Sequence, residues 1–381
     1  MPNSFSKRYI LSYILLLIFF TGCAQKIEQK PEISKANLQK ASWEDLDGYE
    51  SDDLNLALDV FKKDCAGSKK YKNLKNVCHL SKNKQDANKF FKTNFTPYKL
   101  ISDDNKDSGL ITGYYEPLLF GSLTKTEKYQ HPIYATPKDL LTIDLSKVYP
   151  ELKKYRLRGK LVGNRIIAYE TREELEQGKN KNLEPICYVD DKIDLFFLQI
   201  QGSGKVQLEN GTILNIGYGQ QNGRKYYSIG RKLIELGIID KKDISLQTIK
   251  RWLKENPNKI DEILNLNNSY IFFRNSEKSA TGSLGIELVA NRNLAVDRSY
   301  IPLGFPVFIN TTNPINNKEI NQLMVAADTG GAIKGEIRAD FFFGNGKMAE
   351  ELAGKMKQTG KLYIFIPNNL PKNINKKEEE D

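Results

Sequence analysis

The sequence predicts a mainly β protein with peripheral helices, and three observations carry that expectation. Short β-branched and aromatic runs bounded by Gly, Pro, Asn and Asp recur between His131 and Ile200 and again from Leu284 to Ile309. Helical spacing of apolar residues is confined to the N-terminal part, to Gly230 through Leu264, and to Lys347 through Gln358. A chain of 381 residues, 40% hydrophobic and 27% charged, has room for two domains and the balance of a globular protein rather than a disordered or multi-spanning one.

Lys7 and Arg8 precede the apolar run Ile10 to Phe20, which ends in Phe20-Thr21-Gly22-Cys23. The run is short for a bilayer span and has the charged, apolar, small order of a secretory signal. Its Gly-Cys ending resembles a bacterial lipobox. Residues 1–22 would then be a signal peptide, Cys23 the lipidated first residue, and the polar stretch 23–43 a tether; an unprocessed anchor helix is the alternative. Loss of Lys7 and Arg8 takes the net charge from +10 to about +8. A basic exported protein suits an anionic polymer such as the cell wall, and export together with dispersed lysines argues against nucleic acid.

An oxidising compartment permits a Cys65–Cys78 bridge, which would fasten two N-terminal helices and leave Cys187 as a buried thiol. No cysteine pair has metal-ligand spacing, and His79 and His131 are far from the acidic motif described below. Neither a metal, a cofactor nor a histidine-assisted nucleophile is expected.

Leu54, Ala57, Leu58 and Phe61 follow helical spacing behind Ser51-Asp52-Asp53, a second helix is expected over Asp86 to Thr93, and Pro97 ends the helical region. Gly109 to Pro117 reads as a strand running into an aromatic, acidic turn. Tyr114 and Tyr115 there have the flat faces and polar tips that bind sugar rings, and equally suit a hairpin corner. Arg165 to Tyr169 and Leu195 to Ile200 read as strands around a helix at Arg172 to Gln177. The second of these strands enters Gln201-Gly202-Ser203-Gly204, a tight turn exposing glutamine amides. It lacks both the Walker lysine-serine pair and the dinucleotide glycine spacing, so no nucleotide is expected.

Gly217 to Arg224 reads as an amide-rich, glycine-rich loop. Helices at Gly230 to Leu236, Ser245 to Lys254 and Pro257 to Leu264 follow, then a strand at Asn268 to Arg274. Leu284 to Val289, Ala295 to Arg298, Ile301 to Gly304 and Pro306 to Ile309 read as β. A helix over Lys347 to Gln358 is expected to bury Met348, Leu352 and Met356 and to stop at Gly360, before a closing strand at Leu362 to Ile366.

The chain is organised around Val325 to Gly344, VAADTGGAIKGEIRADFFFG. Asp328 falls where the apolar strand Leu323 to Ala327 runs out into Thr329-Gly330-Gly331, and Asp340 stands directly before Phe341-Phe342-Phe343. A carboxylate desolvated by aromatics holds its proton nearer to neutral pH, as a general acid must. Asp-Thr-Gly-Gly is equally ordinary turn chemistry, with aspartates capping nearby amides.

Thr112-Gly113-Tyr114-Tyr115-Glu116-Pro117, Phe197 to Gly204, Asn291 to Asp297, Ile301 to Gly304, and Asp328 to Gly335 with the trailing Asp340 together resemble the membrane-bound lytic murein transglycosylase A family, over about Leu54 to Pro367. The resemblance implies a double-psi β-barrel domain from residues 44–115 and 276–367 plus a smaller inserted β domain at 116–275, with a glycan-binding groove between them. A charged tail at 368–381 lies outside it. It also implies that Asp297, Asp328 and Asp340 are the aspartates for which the family's C-terminal module is named, and that Asp340 is the catalytic acid.

The implied substrate is a peptidoglycan strand, cut between N-acetylmuramic acid and N-acetylglucosamine by the muramyl C6 hydroxyl attacking its own C1. Because that nucleophile is already attached, one carboxylate can serve as acid and then as base. On this reading Asp340 moves the protons, Asp328 holds Lys334 or nearby amides and tunes Asp340, and Asp297 is structural. Tyr114, Tyr115, Gln201, Ser203 and Lys334 would contact the sugars. The implied setting is periplasmic and lipid-anchored at the outer membrane, with cell-wall synthesis proteins as further partners. Two rivals are an inverting hydrolase using Asp328 or Asp297 as base, and a non-catalytic wall-binding lipoprotein. Glu116 receives no role.

Overall fold

The computed structural model describes residues 35–67, 72–83, 85–155 and 157–368. The signal peptide, Cys23, the first part of the tether and the tail from residue 369 lie outside the described residues.

The strands are β1 (Asn37–Lys40), β2 (Phe95–Ile101), β3 (Gly109–Glu116), β4 (Leu118–Ser122), β5 (His131–Tyr134), β6 (Leu141–Thr142), β7 (Arg158–Val162), β8 (Arg165–Ala168), β9 (Pro185–Val189), β10 (Gly204–Leu208), β11 (Ile213–Gln221), β12 (Ile271–Ser276), β13 (Asn293–Val296), β14 (Pro306–Thr312), β15 (Glu319–Asp328), β16 (Arg338–Asn345) and β17 (Lys357–Pro367). The helices are α1 (Leu54–Asp64), α2 (Lys75–Leu80), α3 (Ala87–Asn94), α4 (Arg172–Glu176), α5 (Lys192–Gln201), α6 (Ile229–Glu235), α7 (Leu246–Glu255), α8 (Ile260–Asn265) and α9 (Lys347–Lys355).

One sheet runs β1-β2-β17-β14-β15-β13-β16-β3, and β3 also pairs with β17. The strands from β17 round to β3 therefore close into a barrel. β17 makes this possible by its length: Lys357 to Gly360 pair with β3, while Lys361 to Ile364 pair with β14. All of β13, and Leu323 to Ala327 of β15, are buried, so these strands read as continuous apolar runs rather than alternating ones.

Against the barrel, α1 and α3 pack an aromatic cluster in which Phe61 and Phe95 meet edge-on at 5.7 Å and Phe91 lies 6.3 Å from Phe365. Each buried phenylalanine is worth roughly 2–3 kcal/mol over exposure. Both helices start where their caps dictate: Asp53 accepts from Leu56 N–H at 3.0 Å, and Asp86 from Lys89 N–H at 2.7 Å. A Cys65–Cys78 disulfide joins the end of α1 to α2, and Cys187 is a buried free thiol that burial pushes up to about 12.

Residues 116–276 build the rest. A second sheet runs β12-β11-β10-β4-β9-β5, and β6-β7-β8 form a small third one. The chain leaves the barrel at Glu116 and returns near Ser279, and Glu116 joins the two passages. Its buried carboxylate accepts from Ser279 Oγ and from Ala280 N–H, both at 2.7 Å, and faces Lys205 of β10 at 3.3 Å.

Several elements differ from the sequence expectation. Leu195 to Gln201 is not a strand but most of α5, capped by Asp191 and ended by Gly202 at φ 84°. It reads as uniformly apolar because it is buried on two sides: Leu195 and Leu198 meet the second sheet, while Ile193, Phe196 and Phe197 meet α6, α7 and α8. Gly217 to Gln221 is strand, not loop; a Cβ on Gly219 would lie 2.9 Å from Phe273 O, so glycine there marks close backbone approach.

The last residues of the expected tether pair with β2 as the edge strand β1, too polar to read as a strand. Pro97 lies within β2, while Leu284 to Val289 is a loop held by one isolated bridge between Glu287 and Thr281, and Ile301 to Gly304 is a turn. α9 ends before Met356, and Gly360 sits inside β17. Met348 is 64% exposed; α9 rests instead on Ala349 and Ala353, small enough that a Cβ on Gly113 would come within 3.0 Å of Ala353 Cα.

Candidate active site

Barrel topology places the two aspartates. β13 lies between β15 and β16, and its Ala295 is opposite Asp328 on one side and Asp340 on the other. The two backbones are thus two strand spacings apart, about 10 Å, with only a methyl group between them. On the far side of Asp340, parallel pairing with β3 brings up Thr112.

Asp340 is half-buried on the floor of a cavity of about 330 Å³ between barrel and insert. Its Oδ1 accepts the Thr112 hydroxyl at 2.5 Å, and Arg338 donates to Thr112 Oγ1 at 2.7 Å. The guanidinium therefore fixes the direction in which threonine donates. Among the described residues Thr112 is the one hydrogen-bond partner of this carboxylate. Burial raises the Asp340 pKa; the Arg338 charge and the Thr112 bond pull it back, and the Asp328 charge adds to the rise.

Desolvation does not come from three aromatics, as the sequence suggested. By strand alternation Phe342 shares the face of Asp340 and packs on Tyr114 at 5.0 Å, while Phe341 and Phe343 pair with each other at 4.6 Å.

Asp328 has far more donors. Its Oδ1 accepts Ser283 N–H and Ser283 Oγ at 2.9 Å and Thr329 N–H at 2.8 Å, and its Oδ2 takes a long bond of 3.4 Å from the Tyr114 hydroxyl. Burial raises its pKa too, against the pull of these donors.

Of the other expected contacts, Tyr114 and Gln201 line the cavity, Gln201 also accepting Tyr115 N–H at 3.2 Å. Ser203 lines an adjoining cavity. Tyr115 points away, buried beside Glu350 of α9, as alternation along β3 requires. Lys334 is not held by Asp328: its exposed ammonium lies 3.9 Å from Asp297, outside the cavity. Asp297 also accepts Ser299 N–H at 3.1 Å and Gly335 N–H at 3.2 Å, pinning the loop before β16.

Residues missed by sequence reasoning include Thr112 and Arg338, whose relation depends on strand pairing. Arg172 was missed as well: it lines the cavity fully buried, stacked on Phe196 and Tyr270 and donating to the carbonyls of Asn267 and Ser269. Among the described residues no cluster of His, Cys, Asp and Glu could hold a metal, and no helix is long and apolar enough to cross a membrane.

A family model described as the MltA specific insert domain matches residues 110–274, and that of the 3D domain matches residues 292–366. Membrane-bound lytic murein transglycosylase A of Escherichia coli K12 is 31% identical over 276 residues, 70% of this chain and 68% of the relative. The chain belongs to the membrane-bound lytic murein transglycosylase A family.

As a member it is an enzyme of the lytic transglycosylase class. A homolog from Buchnera aphidicola is 30% identical over 293 residues, 74% of this chain and 73% of the relative. The crystal structure of MltA from Neisseria gonorrhoeae superposes with a TM-score of 0.77 at 33% identity, covering 88% of this chain and 94% of that one. The membrane-bound lytic murein transglycosylase of Agrobacterium tumefaciens gives 0.78 at 32% identity, covering 87% and 98%.

Proposed function

We propose that this enzyme cleaves the bond between N-acetylmuramic acid and N-acetylglucosamine in peptidoglycan and leaves 1,6-anhydromuramyl ends, with Asp340 as the single acid and base. Protonated Asp340 donates to the glycosidic oxygen as the C1–O bond breaks. The resulting carboxylate accepts the C6 hydroxyl proton as O6 bonds to C1, so the departing chain leaves as an alcohol and no water is consumed. The raised Asp340 pKa favours a proton at rest, and Thr112, oriented by Arg338, holds the group in place.

The observation that carries this reading is the unequal solvation of the two carboxylates. An inverting hydrolase needs a second carboxylate free to accept a proton from water. Asp328 spends Oδ1 on three donors, and Asp297 spends both oxygens outside the cavity. Asp328 instead positions the loop at Ser283 and adds negative charge beside Asp340. Gln201 and the Tyr114 side of the groove would meet the sugars. Export, lipidation at Cys23 and retention at the outer membrane complete the proposal.

Mass spectrometry of purified cell wall digested with the enzyme tests it. Anhydro ends weigh one water less than reducing ends; a digest containing reducing muramyl ends in their place would establish the hydrolase.

A further inference from the structure

A second cavity, of about 670 Å³, adjoins the first and shares Gln201, Gly202, Tyr218, Asp328 and Thr329 with it as a common wall. Its electrostatics are different. Arg158 of β7, Arg274 of β12 and Arg298 from the turn after β13 all line it, against the carboxylates of Asp144 and the shared Asp328.

The arginines in ion pairs among the described residues are Arg172 and Arg292, neither of which belongs to this group. Arg158 is fixed by neutral acceptors, with Gln220 Oε1 at 3.2 and 3.0 Å from its Nε and Nη2, and Leu157 O at 2.8 Å from its Nη1. Arg274 donates Nε–H to Tyr218 O at 3.2 Å, and its terminal nitrogens make no hydrogen bond among the described residues. Guanidinium groups gathered at one cavity repel one another unless an anion joins them, and their forked donors match carboxylates in particular. Uncharged sugar hydroxyls do not call for such an arrangement. The formal net charge, +10 for the full sequence and about +8 without Lys7 and Arg8, attracts an anionic ligand as well.

The proposed substrate carries such an anion at the required place. A muramyl residue bears a lactyl ether that continues into an acidic peptide, so a sugar seated at Asp340 can send its substituent past the wall formed by Gln201, Tyr218 and Asp328. A cavity of this size suits a ligand of a few residues. We propose that the second cavity is a subsite for the carboxylate-bearing peptide stem of the muramyl unit next to the cleaved bond, bound by Arg274 and Arg298 with Arg158 fixed beside them. The inference rests on the peptidoglycan reading and adds a preference for strands that carry stems.

The test compares kcat/KM of wild type and of the double variant Arg274→Ala, Arg298→Ala on stem-bearing strands and on strands stripped of peptide by an amidase. Both arginines are exposed, so the substitutions leave the packed core untouched. Wild type should prefer stem-bearing strands, and the double variant should lower that ratio about tenfold through KM, a loss ordinary for charged pairs on a binding surface. A wild type without preference, or a variant that loses equally on both substrates, overturns the subsite and leaves the catalytic reading standing. Absence of anhydro products from both substrates with wild type would instead overturn the catalytic reading. The subsite is then decided by titrating wild type with a soluble disaccharide peptide and with its amidated counterpart: weaker binding of the amidated form supports it, and equal affinity overturns it.

Discussion

Asp328 and Asp340 face each other across one alanine, share one cavity and are both pushed upward by burial, yet Asp340 feels the Arg338 charge while Asp328 is held by many more donors. Asp328 receives an amide pair and a serine hydroxyl on one oxygen and a tyrosine on the other. Asp340 receives one threonine hydroxyl. Burial alone therefore does not make an acid. The carboxylate left with a free oxygen in a desolvated place can carry a proton to a substrate, whereas the one filled with donors becomes part of the scaffold.

Substitutions can break or sharpen that contrast. The largest effect is expected for Asp340→Asn, which keeps the shape and removes the proton: anhydro product formation should fall at least about a thousandfold while binding of glycan strands, followed by co-sedimentation with purified cell wall, persists. Asp328→Asn keeps an acceptor for Ser283 but removes the charge and presents an amide where Tyr114 donates. A loss of about ten- to a hundredfold in kcat is expected, and a loss equal to that of Asp340→Asn would erase the distinction between the two.

Thr112→Val removes the hydroxyl that pulls the Asp340 pKa down. That pKa should then rise, moving the alkaline limb of the pH–rate profile upward; a downward movement would contradict the assigned hydrogen bond.

The smallest effect concerns stability. The folded-state pKa of Asp340 lies above its unfolded value, so the folded protein binds that proton more tightly, and the group costs stability once pH rises through the folded pKa. Asp340→Asn should therefore melt about 1–3 °C higher than wild type at pH 7.5, a difference that shrinks as pH falls through the folded pKa and vanishes only below the pKa of the unfolded aspartate.

Much of the site was legible because it is local. The apolar lead-in, the glycines and the trailing Asp340 occur in one stretch, and α1 and α3 announce themselves through Asp53 and Asp86. What the sequence hid depends on distant partners. Thr112 and Arg338 act together only because β3 and β16 pair in parallel, at positions 228 residues apart for Thr112 and Asp340. Lys334, close to Asp328 in sequence, was expected to be held by it, and only the path of the loop assigns it to Asp297. α5 was misread because burial on two faces removes the periodicity that separates helix from strand, although Asp191 and Gly202 carried the cap signals that mark it.

Glu116 also bears on the order in which the molecule assembles. Pairing β3 with β16 directly would close a long loop, and the entropy of doing so opposes barrel formation. Once residues 117–276 have folded, the hydrogen bonds from Ser279 and Ala280 to Glu116 bring the two ends of that region together. The loop still to be closed then shrinks to little more than the segment from Ser279 to Asp340, about 1 kcal/mol cheaper in chain entropy. Were the inserted part to fold first, it would hand the barrel two ends already side by side.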